Sequence, residues 1–179
     1  MFLLVDRLFG FFHKIHFKME AKTGKNVRVL GCVHFLNSNV SVGDNCILYP
    51  NVSFEGDGLI TIGNNVKIGT NTIINANSKG GITIGDNTII AANSYIIDCV
   101  HGTSSGTLIQ SQELIAHPIH IGQDVWIAAN AVIAKGAELK DGCVIGANSY
   151  VDRVIEKNGI AFGCPARIKS HRLPTDVKF

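Results

Sequence analysis

The chain has 179 residues, enough for one domain with short appendages, and sixteen Lys and Arg stand against fourteen Asp and Glu. That near-balance argues against a nucleic-acid binder, which needs a basic field to engage phosphates. Nineteen glycines and only four prolines sit among many Asn, Ile and Val. Branched aliphatics favour pleated backbone, and Gly and Asn accept the positive φ of sharp corners, so the composition reads all-β with many tight turns.

The first segment, residues 1–25, opens Met1-Phe2-Leu3-Leu4-Val5-Asp6-Arg7-Leu8-Phe9. Asp6 and Arg7 interrupt the apolar run, no basic stretch precedes it and no small-residue cleavage site follows, so it reads neither as a signal peptide nor as a span. Leu4, Leu8, Phe11 and Phe12 fall at helical spacing ahead of Lys14, His16 and Lys18. This predicts an amphipathic helix over residues 2–19, packed on the body or lying at a membrane surface. Five cysteines without the pairing of a disulfide framework or zinc knuckle fit a reducing cytoplasm.

From residue 26 to residue 151 a six-residue period dominates. Leu30, Leu36, Val42, Leu48 and Phe54 form the first run, Ile62, Ile68 and Ile74 the second, and Ile84, Ile90 and Ile96 the third; Ile121, Ile127, Ile133, Leu139, Ile145 and Val151 follow. Four places after members of this series stand small or branched residues, from Val40, Cys46 and Val52 through Ala131 and Ala137 to Cys143 and Ser149. Side chains two apart share a face of a strand, so the aliphatic residue and the small one before it both point inward. Corners such as Gly43-Asp44-Asn45 and Gly85-Asp86-Asn87 carry turn formers. Three short strands and three corners make one coil, and stacked coils build a continuous core that no single repeat possesses. The count predicts five to six coils. In this register His34 sits at an inward position, while strand alternation puts Trp126 and His120 outside.

Three insertions break the period, the longest between Ile96 and Ile121, which are 25 residues apart. The inserted loop, residues 98–118, holds Asp98, His101, Ser104, Ser105 and His117. A long interruption in a regular scaffold is where a binding loop belongs. Residues 152–179 form a tail: Gly163-Cys164-Pro165-Ala166-Arg167 reads as a turn, and Ile168-Lys169-Ser170-His171-Arg172 as a short helix capping the last coil, with the N-terminal helix capping the first.

Pro118-Ile-His-Ile-Gly-Gln-Asp-Val-Trp-Ile-Ala-Ala-Asn-Ala-Val-Ile, continuing through Val144-Ile-Gly-Ala-Asn-Ser to Gly163-Cys-Pro-Ala-Arg167, resembles the hexapeptide-repeat acyltransferases, with their left-handed parallel β-helix. Its look is that of the galactoside, maltose and capsular-polysaccharide O-acetyltransferases, with Ala128 where the family has Gly. The resemblance implies acetyl-CoA as co-substrate with no metal required, a hydroxyl of a saccharide as acceptor, and a homotrimer with each site between two subunits. It also implies His101, 25 residues before Trp126, as catalytic base. Asp98 is the neighbour expected to orient the imidazole and meet the acceptor, together with Asn75 and Trp126. Ala129 and Ala147 match positions along the pantetheine arm, and Arg153 and Arg167 match cations near the nucleotide phosphates. Asp152 replaces a family Thr.

Alternative chemistries remain open at this level. An amino sugar would make the enzyme an N-acetyltransferase. Cys99, two residues before His101, offers a nucleophile for a covalent route. His101, His117 and His120 suggest a zinc hydratase of β-helix type, and a non-catalytic scaffold is the third class.

Overall fold

A computed structural model describes residues 21–174. The expected helix over residues 2–19 lies outside the described residues. The body is a three-sided parallel β-solenoid, and the hexapeptide spacing explains why. Each of the first six coils contributes one strand of two to five residues to each face, as in Val40–Val42, Ile47–Leu48 and Val52–Gly56, and a seventh adds strands to the first two faces only. The first face holds seven parallel strands, from Lys22–Thr23 to Val154–Ile155. The second also has seven in parallel, from Arg28–Val29 to Gly159–Gly163, with Ala166–His171 added antiparallel as an eighth. The third has six, from Val33–Phe35 to Tyr150–Val151.

Seven coils stand where five to six were expected. The aliphatic period misses both ends of the stack. Lys22–Thr23 already pairs with Ser41–Val42, and beyond Val151 the strands at Val154–Ile155 and Gly159–Gly163 continue the stack with Ile155 and Ala161 buried. The first coil also runs one residue out of the expected register. Val29, not Leu30, pairs with Leu48, and Phe35, not Leu36, pairs with Phe54. Leu30 and Leu36 are therefore 43% and 71% exposed, and His34 points outward rather than in. The extra residue is absorbed at the following corner, where buried Asn37 donates Nδ2 to the carbonyls of Glu55 and Gly58.

Elsewhere the two columns run down the axis. Leu48, Phe54, Ile68, Ile74, Ile96, Ile127, Ile133, Ile145 and Val151 are wholly buried, as are the fillers Cys46, Val66, Ala131, Ala137 and Cys143. The corners turn through left-handed Asn residues whose amides form ladders parallel to the axis. Asn51 Nδ2 donates to Asn71 Oδ1 at 3.1 Å and Asn71 Nδ2 to Asn93 Oδ1 at 3.1 Å, with φ between 58° and 62°. Asn tolerates this conformation, and its amide can donate and accept in series.

The C-terminal segment is a strand, Ala166–His171, where the sequence suggested a short helix. It folds back on Gly159–Gly163, so the cap on the second face is made by strand pairing. Arg172 fastens it by donating Nη1 to Asp124 Oδ2 at 2.8 Å and to the Gly142 carbonyl at 3.0 Å. No described helix is long and apolar enough to cross a membrane.

Candidate active site

The long insertion leaves the third face directly after the strand Tyr95–Ile97. It forms a projecting antiparallel ribbon of Cys99–His101 against Leu114–Ala116, with His101 opposite Leu114. Its tip is folded by one amide. Gln112 Oε1 accepts the N–H of Ser104 at 2.9 Å, and Nε2 donates to the carbonyls of Ser104 and Thr107 at 3.0 and 3.1 Å. His101 is exposed and borders an open hollow with Thr107, Leu108, Ile109 and Gln110. Leu108 and Ile109 bare apolar surface at the rim of this hollow, at 69% and 59% exposure, and Val100 and Ile115 form a separate exposed cross-strand pair on the ribbon, at 38% and 47%.

Asp98 lies at the root of the ribbon and is wholly buried. Its Oδ1 accepts the N–H of Asn77 at 2.8 Å and its Oδ2 that of Gly81 at 2.5 Å. Both oxygens are thus engaged with the shorter insertion between Ile74 and Ile84. A Cβ on Gly80 would come within 2.3 Å of Oδ2, so only glycine leaves room there. Lys79 of the same insertion pairs with Glu113 of the ribbon at 2.9 Å. The two insertions therefore brace each other, and Asp98 serves beneath the surface instead of meeting an acceptor there.

Asn75 lies one coil below the ribbon root, paired in register with Ile97, and is half-buried with an outward amide. Its Nδ2 donates to Glu55 Oε2 at 3.3 Å, and Glu55 Oε1 accepts from Ser53 Oγ at 2.9 Å. The sequence carried no motif at Glu55 or Ser53. Their only signal is a carboxylate and a hydroxyl flanking Phe54, which alternation sends outward.

The remaining candidates are distributed around the prism. Trp126 is 51% exposed on the second face, between Ile89 and Val144 in the outward column. Ala129 and Ala147 stack at the corner joining the second and third faces, where the N–H of Asn148 donates to the Ala129 carbonyl at 3.0 Å. Arg153 lies just beyond the last strand of the third face and is paired with Asp152 at 2.7 Å. Arg167 is exposed on the returning C-terminal strand, opposite Phe162. One chain brings Asn75 beneath the root of the loop that carries His101; the others stand on other faces or corners.

Cys99 is buried, and burial, followed by the nearby Asp98 and Asp57 charges, pushes its thiol up from 9.0. A nucleophilic cysteine needs the thiolate, so this setting opposes a covalent route. His120 is exposed, with Nδ1 2.8 Å from Thr83 Oγ1, and His117 is exposed at the foot of the loop. Among the described residues of one chain, no three His, Cys, Asp or Glu side chains gather into a metal-binding group.

Two family models match: bacterial transferase hexapeptide (six repeats) over residues 118–153, and hexapeptide repeat of succinyl-transferase over residues 59–97. Galactoside O-acetyltransferase of Escherichia coli (strain K12) is 36% identical over 152 residues, covering 84% of this chain and 64% of that protein, so the chain spans less than two thirds of it. WcaF of the same strain, named for acetyl transfer in colanic acid biosynthesis, is 30% identical over 135 residues, covering 75% of this chain and 71% of WcaF. A solved galactoside acetyltransferase in complex with coenzyme A superposes with a TM-score of 0.59 at 27% identity, covering 88% of this chain and 68% of that one. With its inward columns, its seven coils and these likenesses, the chain belongs to the hexapeptide-repeat acyltransferase family.

Proposed function

We propose that the protein transfers the acetyl group of acetyl-CoA to a hydroxyl of a saccharide, with His101 as general base. The observation that carries this reading is a histidine on a braced ribbon whose root lies beside Asn75. In the proposed step the imidazole removes the acceptor's proton as its oxygen attacks the thioester carbonyl. The C–S bond then breaks, and the same proton passes to the departing thiolate. A positioned base of this kind contributes about 10²–10⁴-fold. The step as drawn uses no metal.

The likeness to a galactoside acetyltransferase solved with coenzyme A supports acetyl-CoA as donor. Along the corner of the second and third faces, Ala129 and Ala147 offer small side chains against which an extended pantetheine arm can lie. Arg153 and Arg167 supply the cations for its phosphates, a charge-assisted pairing. Asp152 already holds Arg153, so there a phosphate must share or displace that partner. Asn75 contacts the acceptor, and Trp126 walls the cleft. Because these groups lie on different faces of one prism, the reading requires a homotrimer in which the second face of one protomer meets the third face of its neighbour. The apolar side chains beside His101 gain a cover in the same arrangement. Cytoplasmic chemistry suits acetyl-CoA, and residues 2–19 are the segment assigned to membrane contact if the acceptor is lipid-linked.

Thiol release from acetyl-CoA, measured with and without a panel of sugars, tests the proposal. Acceptor-dependent release with an acetylated hydroxyl in the product is expected. Acetylation of an amino group would move the assignment to N-acetyl transfer, and no release with any sugar would end it.

A further inference from the structure

The outward column of the third face runs from Glu55 through Asn75 to Ile97, immediately below the ribbon that carries His101. On the transferase reading above, this column floors the acceptor's position. Its polar groups are already committed to one another in a particular sense. Ser53 and Asn75 each spend a donor on Glu55, one on each carboxylate oxygen. A carboxylate has about four acceptor sites, so roughly one per oxygen remains for a ligand. Asn75 Nδ2 spends one of its two N–H donors on Glu55, so Asn75 keeps Oδ1 as an acceptor and one N–H as a donor. What this floor offers outward is therefore chiefly acceptors, centred on the negative charge of Glu55, with one Asn75 N–H beside them.

Among the described residues, no Lys, Arg or His forms an ion pair with Glu55. Asp57 lies two residues on, its Oδ1 accepting the N–H of Ser78 at 2.8 Å, and Asp98 is buried just above. The cation of the neighbouring insertion, Lys79, is paired with Glu113. Tyr95, in the adjacent outward column, has its phenol pushed up first by burial and then by the Glu55 charge, with Cys99 a lesser cause.

We infer that Glu55 is the specificity-determining residue of the acceptor subsite, selecting a saccharide that presents a pair of hydrogen-bond donors and no anionic group beside the reacting position. Paired hydroxyls of a neutral sugar, or a hydroxyl beside an amino group, supply such donors. A uronic acid brings a second carboxylate against Glu55, and like charges at this range repel.

The test compares wild type, Glu55→Gln and Glu55→Asp as full-length proteins, with acetyl-CoA and three probes: methyl galactoside, glucosamine and glucuronic acid. Wild type is expected to favour the two donor-rich probes over glucuronic acid by about tenfold or more in kcat/KM, the scale of one charged hydrogen bond. Glu55→Gln keeps the shape but turns one acceptor into a donor. It is expected to raise the KM for the preferred probe about tenfold and to shrink the preference over glucuronic acid to about threefold or less. The KM for acetyl-CoA and the unfolding temperature should stay at wild-type values, and Glu55→Asp should keep the preference against the acid. Equal use of glucuronic acid by wild type, or an undiminished preference in Glu55→Gln, would overturn the inference while leaving acetyl transfer standing. Transfer to none of the three, with no thiol release, would overturn the transferase reading and this inference with it.

Discussion

The carboxylate of Asp98 accepts the backbone N–H of Asn77 at 2.8 Å from a position with no solvent exposure, and Gly81 supplies its second N–H. A buried carboxylate is costly unless such donors compensate it. Here the two amides come from one insertion and the carboxylate from the root of another, so a single side chain holds the two loops together. Everything beyond Asp98, His101 included, is built on that junction.

Replacing Asp98 by Asn sets an amide NH₂ against one of two backbone N–H groups. Hydrogen bonds to charged groups are worth about 1.5–3 kcal/mol, so Asp98→Asn is expected to destabilise the fold by about that amount in urea unfolding. Turnover should fall as well, with little change in the KM for acetyl-CoA, because the base is displaced while the coil surface is not. Wild-type turnover and stability in this variant would show that the junction is dispensable.

Much of the coil stack was legible because its cause is local. Inward columns repeat every six residues, and Ile62 to Ile96 and Ile121 to Val151 obey the period wherever the corners keep one length. The reading slipped where corner length changed: one extra residue near Asn37 moved Leu30, His34 and Leu36 off their expected positions, and a four-residue step from Val151 to Ile155 took Ile155 and Ala161 out of phase with the preceding hexads. The returning strand Ala166–His171 has no clean alternation, since its partner, not its own pattern, makes it a strand. In the site, His101 and Asn75 were found through resemblance. The roles of Asp98, Gln112 and Glu55, and the pairing of Lys79 with Glu113, depend on which coils lie adjacent, and no motif encodes that.

The inward thiols predict an alkaline limit to stability. Cys143 is wholly buried, and desolvation pushes its thiol from 9.0 up to about 12. The folded chain then holds a proton that the unfolded chain releases, so stability is full below about 9 and declines as pH rises from there toward 12. A single such group contributes a slope of at most about 1.4 kcal/mol per pH unit. Unfolding followed between pH 9 and 10.5 should show this decline, and Cys143→Ala should flatten part of it. An identical slope in the variant would place the alkaline loss elsewhere.

Trp126 is the sole tryptophan, so its fluorescence reports one place. Half-exposed in the single chain, it is expected to be shielded in a trimer and to change emission when acetyl-CoA is added. Sedimentation should give three times the 19.2 kDa chain mass, and acrylamide should quench Trp126 less than free indole. A monomer with full activity, or emission indifferent to acetyl-CoA, would remove the shared cleft from the proposal.

The claim on which the functional account turns is that the His101 imidazole moves the acceptor's proton. Its direct test is the turnover of His101→Ala with acetyl-CoA and a working sugar acceptor, alongside its unfolding curve. Turnover lower by about 10²–10⁴-fold, in a protein that unfolds like wild type, is the predicted result. Turnover near the wild-type rate in a folded His101→Ala would contradict it.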